Sequence, residues 1–160
     1  MSQKFTPDTT PSQGERALLL GGGETILLVE DQKLMQASTT RGLTQLGYRV
    51  LVAGSVREGF QTWQKHHNEV ALIVTDYSFR GSQTGMDLLL KVQALEPSLP
   101  VLIVSGSWLP DARKDPPLPA NVACLSKPYR KEEMASTVHR LLSQRAPMVP
   151  SWVIRDSPRS

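Results

Sequence analysis

Ile26-Leu27-Leu28-Val29 runs into Glu30-Asp31, and the same arrangement recurs three more times along the chain. Val70-Ala71-Leu72-Ile73-Val74-Thr75 stops at Asp76, Val101-Leu102-Ile103-Val104 at Ser105, and Val122-Ala123-Cys124-Leu125-Ser126 at Lys127-Pro128. Short, unbroken apolar runs mark strands buried on both faces, hence parallel strands covered by helices. Sheets of that type bind ligands outside the carboxyl ends of their strands. Three carboxylates, a hydroxyl and an ammonium are therefore expected to meet at one edge, a set suited to a divalent cation and a phosphoryl group.

Helical periodicity returns between the strands. Leu34, Ala37, Leu43 and Leu46 mark a first helix, closed by Gly47 as a C-terminal cap. A strand from Tyr48 to Ala53 follows, and its Arg49 interrupts the apolar run as an edge strand allows. Val56, Phe60 and Trp63 share one face of a second helix, with Ser55 as its N-cap. Met86 to Leu95 reads as a third helix, stopped before Pro97. Met134, Val138, Leu141 and Leu142 form the buried stripe of the last one.

Strand and helix thus alternate through five repeats, which implies an α/β fold: a five-stranded parallel sheet, doubly wound, with right-handed crossovers. One segment breaks the pattern. Pro110, Pro116, Pro117 and Pro119 fall where a fourth helix belongs, so that helix is expected to be short or missing.

The 160 residues suffice for one well-packed domain, and the net charge of +3 is too small to point to a nucleic-acid surface despite a pI near 9.2. No apolar stretch approaches the roughly 18–20 residues that span a bilayer. The single cysteine, Cys124, rules out an internal disulfide framework and agrees with a reducing, cytoplasmic setting. Composition divides the chain into a flexible leader over 1–24, a domain over 25–144 and a flexible tail over 145–160. Trp152-Val153-Ile154 is an apolar island in that tail.

Taken in order, Glu30-Asp31, Asp76, Ser105 and Lys127-Pro128 resemble the signature of response-regulator receiver domains of two-component signalling, over about 120 of the 160 residues. Intervals of 45, 29 and 22 residues from Asp31 through Asp76 and Ser105 to Lys127 fit that family's arrangement. The resemblance implies a flavodoxin-like receiver fold with Asp76 as phospho-acceptor. It implies Mg2+ held by Asp31 and Asp76, by Glu30 through water, and by the backbone carbonyl of Ser78. Lys127 would hold a phosphoryl oxygen, Ser105 would move toward the phosphoryl group, and the bond before Pro128 would be cis. The chemistry agrees: an aspartate attacking a phosphoryl group brings anions together, and a hard cation with oxygen ligands offsets them.

The chain departs from the family at Cys124, where receivers usually carry an aromatic residue three positions before the lysine. A cysteine cannot serve as the same rotameric lever, so an unusual output surface is expected. The loop 77–84 is one residue longer than usual and lacks the usual proline. His66, His67 and His139 are expected on helix surfaces, without a second ligand pair of metal-binding spacing.

Function follows in three versions. The leading one is a non-enzymatic phospho-acceptor module, phosphorylated by a histidine kinase or histidine phosphotransfer protein and switching a surface for a downstream protein. No attached output domain, direct DNA binding or membrane contact is expected, whether the chain is free-standing or cut from a hybrid kinase. The second is a scaffold that works without phosphorylation. The third, an aspartate-nucleophile phosphatase of the haloacid-dehalogenase type, fits poorly, because Ser78 stands where such enzymes carry a second aspartate.

Overall fold

The computed structural model describes residues 21–106 and 117–144. Five strands run β1 (Thr25–Val29), β2 (Arg49–Ala53), β3 (Val70–Asp76), β4 (Val101–Ser105) and β5 (Val122–Ser126). Among the described residues four helices alternate with them: α1 (Lys33–Gln45), α2 (Val56–His66), α3 (Gly85–Leu95) and α4 (Lys131–Gln144). All strand pairs are parallel, in the order β2-β1-β3-β4-β5, so the chain steps outward from β1 to one edge and then back across to the other. The reversal beside β1 and β3 is where such sheets bind ligands.

Alternation along each strand divides the core into two layers. Leu27, Val29, Ile73, Val101 and Ile103 pack with Val56 and Trp63 of α2 and Leu88, Leu89 and Val92 of α3. Ile26, Leu28, Leu72, Val74, Leu102 and Val104 pack on the opposite face with Leu43 of α1 and Met134, Val138 and Leu141 of α4. The sheet is therefore covered on both sides, the doubly wound architecture expected from the sequence. Val70 joins the odd-numbered set because Ala71 is a bulge: Thr25 pairs with Val70 but Ile26 with Leu72.

Local chemistry places the helix ends. Ser55 accepts the Glu58 N–H at 3.0 Å, and Gly47 closes α1 at φ +94°. The first-helix stripe requires correction. Leu34 is 88% exposed and Ala37 is exposed too, whereas Leu43 is buried and Leu46 half-buried. The face toward the sheet runs through Met35, Thr39 and Gly42 to Leu43, so Leu34 sits on a different side of the cylinder.

Residues 117–121 contain no helix. The rest of the proline-rich segment, 107–116, lies outside the described residues, as do most of the leader and the whole tail with Trp152-Val153-Ile154.

Candidate functional site

The three carboxylates come from two neighbouring strand ends. Glu30 and Asp31 follow β1, Asp76 closes β3, and the register sets Val29 beside Thr75, so both chains leave the sheet together. One carboxylate oxygen from each of Glu30, Asp31 and Asp76 lies within 4.8 Å of the other two. Lys127, one residue past β5, places its Nζ 3.0 Å from Asp76 Oδ1. Ser105 ends β4, is buried, and its carbonyl accepts the Lys127 N–H at 2.8 Å. The Lys127–Pro128 bond is cis. Ser78 lies in the loop after Asp76, bridged to Thr84.

Backbone hydrogen bonds carry the ladder past the strand ends and hold these groups still. The Glu30 N–H donates to the Ala53 carbonyl at 3.0 Å, and the Tyr77 N–H to the Val104 carbonyl at 2.9 Å. Asp31 Oδ2 accepts the Arg80 N–H at 3.0 Å, which ties the loop 77–84 to the acid pair. Gly85 opens α3 directly beneath Asp76; a Cβ there would collide with the Asp76 carbonyl oxygen. Thr84 and Asp87 cap the same helix reciprocally.

Negative charge is in excess at this edge of the sheet. Burial, then the Asp76 charge, pushes the Glu30 carboxyl up from its ordinary 4.5 to about 7, against the lowering influence of Lys127 and the Gln32 N–H. Three carboxylates thus face one ammonium, and the cluster responds by favouring a proton on its most buried member. Hard oxygen donors with a surplus of negative charge fit a hard divalent cation.

Sequence reading found every acid of this cluster and the lysine. It missed Gln36, whose amide reaches the Glu30 carbonyl at 3.0 Å, and the contact of Gly85 with Asp76. Neither carries a sequence signal, since both act on main-chain atoms.

The family model of the response regulator receiver domain matches residues 26–139. The chain belongs to that family. This receiver domain is 29% identical over 130 residues to the sensor kinase CckA of Brucella abortus (strain 2308), a match covering 81% of the chain and 14% of the kinase. It is 30% identical over 123 residues to the transcriptional regulatory protein GlrR of Escherichia coli (strain K12), covering 76% of the chain and 27% of GlrR. The chain therefore spans less than a third of the length of either relative. Among solved structures, the receiver domain from the hybrid histidine kinase CckA superposes with a TM-score of 0.61 at 26% identity, covering 74% of this chain and 98% of that one.

Two further features lie outside the acid cluster. Cys124 is half-buried against the α2/α3 side of the core, and burial pushes its thiol up, as for an inert small hydrophobe. His66 ends α2 beside Glu69 at 3.6 Å, and His67 Nδ1 meets the Gln64 carbonyl at 2.9 Å. No helix among the described residues is long and apolar enough to cross a membrane.

Proposed function

We propose that this receiver domain is a phospho-acceptor switch in which Asp76 takes a phosphoryl group from a histidine kinase or a histidine phosphotransfer protein. The observation that carries the proposal is the position of Asp76, gathered with two further carboxylates and paired with Lys127 at 3.0 Å. An Asp76 carboxylate oxygen attacks phosphorus as the P–N bond to the donor imidazole breaks, and the electron pair leaves with the nitrogen.

Glu30, Asp31 and Asp76, with the backbone carbonyl of Ser78, would hold Mg2+, which supplies positive charge to the phosphoryl oxygens. Lys127 passes its ammonium from the Asp76 carboxylate to a phosphoryl oxygen. Ser105 offers its hydroxyl to the same group, and its carbonyl already holds the Lys127 backbone, so the two respond together. The new charge biases the loop after β3 between two arrangements, and a downstream protein reads the outcome.

Intact mass after incubation with acetyl phosphate and magnesium tests this. A magnesium-dependent gain of one phosphoryl group, absent in Asp76→Asn, supports the switch. A beryllofluoride titration guards against rapid hydrolysis hiding the product. Silence in both favours a second reading, a receiver fold kept as a scaffold, to which Cys124 in place of the usual aromatic lever lends support.

A further inference from the structure

Helix α1 starts two residues past Asp31, and its first turn sends one side chain back onto the site. Gln36 Nε2 donates to the Glu30 carbonyl at 3.0 Å and to the Ala53 carbonyl at 3.4 Å. The Gln36 backbone N–H donates to the Gln32 carbonyl at 2.8 Å, so the side chain is rooted in the helix and its tip is held by two strand ends.

The carbonyl that Gln36 grips belongs to the peptide unit joining Glu30 to Asp31. That unit sets the direction in which both carboxylates leave the backbone. Its other neighbours are fixed as well: the Glu30 N–H donates to Ala53, and Glu30 Oε1 accepts the Gln32 N–H at 3.2 Å. The Gln36 bond is the contribution to this frame that comes from a side chain on α1. Groups of this kind, one step behind the ligands, commonly govern metal affinity.

We infer that Gln36 is a positioning residue, whose amide holds the Glu30–Asp31 peptide in the orientation that brings both acids to one divalent cation. The inference rests on the proposal that the acid cluster binds magnesium.

Calorimetric titration of the full chain with magnesium chloride tests it, comparing the unaltered protein with Gln36→Met, Asp31→Asn and Leu43→Ala. Gln36→Met keeps an unbranched side chain of similar length and good helix propensity but removes both N–H donors. It is expected to weaken magnesium binding by about 10-fold, the lower end of what such groups control. In the metal-free state, the amide NMR signals of Asp31 and Gln32 should shift while those of α4 stay in place. Leu43→Ala loosens the same helix from its buried side, and is expected to lower the melting temperature while leaving magnesium affinity within about twofold of the unaltered protein.

Unchanged affinity in a folded Gln36→Met overturns the inference, as does an equal loss in Leu43→Ala, which would assign the effect to helix stability. If the unaltered chain binds magnesium and Asp31→Asn does not, the site stands whatever Gln36 does. If the unaltered chain binds none, the site proposal and this inference both fall.

Discussion

The Lys127 ammonium lies 3.0 Å from Asp76 Oδ1, with the lysine side chain 25% and the aspartate 10% exposed. It is the one cation recorded within salt-bridge distance of the acid cluster among the described residues, and it depresses the Glu30 carboxyl against the push of burial. Lys127→Met leaves three carboxylates facing each other in a mostly covered pocket. The metal-free protein should lose about 1–3 kcal/mol, less than a fully buried broken pair because solvent reaches the lysine. Divalent-cation affinity should move the other way, rising about tenfold as a competing charge leaves. Urea unfolding in a chelator and calorimetric titration with magnesium check the two halves.

Glu30 gives the metal-free protein a pH dependence of definite sign. Its carboxyl sits at about 7 in the fold against an ordinary 4.5, so the folded chain holds this proton more tightly than the unfolded one. The stabilisation is fully present below about pH 4.5, declines through that window, and is lost as pH rises through about 7. Unfolding free energy measured without metal should therefore fall between pH 5.5 and 8 by an amount on the order of 2 kcal/mol, and the melting temperature should fall with it. Glu30→Gln should remove most of that slope, and saturating magnesium should reverse it, because the cation needs the ionised form.

Gly85 sets how closely α3 can approach the end of β3. Its Cα faces the Asp76 carbonyl, and a Cβ would also crowd Thr75 Cγ2 at 3.2 Å. Gly85→Ala must push the first turn of α3 away from backbone that cannot yield, at a cost of about 1–3 kcal/mol despite the better helix propensity of alanine. Because Asp76 sits at the point of contact, magnesium affinity should fall with stability. Thr84→Ala, which removes the neighbouring cap, should cost about 1 kcal/mol while Asp76 stays in place. Urea midpoints and magnesium titrations of the two variants separate these effects.

The strands and their reactive endings were legible because a parallel strand covered on both faces has nowhere to put a polar side chain until it leaves the sheet. Arg49 gave away the edge strand for the complementary reason. The phase of α1 was harder. Leu34 and Leu43 cannot both lie at the centre of one stripe, and the face that is covered carries Leu43 together with Thr39, whose hydroxyl lies 3.4 Å from the Tyr129 hydroxyl. Polar positions on a buried stripe have no signal in hydrophobic periodicity. Gln36 and Gly85 were silent for a further reason: each meets a carbonyl oxygen, and every residue has one. Residue types reveal chemistry carried by side chains, and conceal chemistry done to the main chain.

Cys124 provides a direct check on how firmly the β5 side of the core is closed. It pairs in register with Ile103, is packed against the α2/α3 layer, and its thiol is pushed up by burial. Few molecules carry the thiolate at neutral pH, and fewer expose it, so a disulfide reagent should react at least about tenfold more slowly with the folded chain than with the chain in urea. Phosphorylation, or beryllofluoride in its place, draws Ser105 toward Asp76 in the proposed switch, one residue along β4 from the Val104 that lies beside Leu125. If that movement loosens the packing around Cys124, its labelling should accelerate severalfold in the activated state. An unchanged rate would mean that the proposed switch leaves β5 undisturbed.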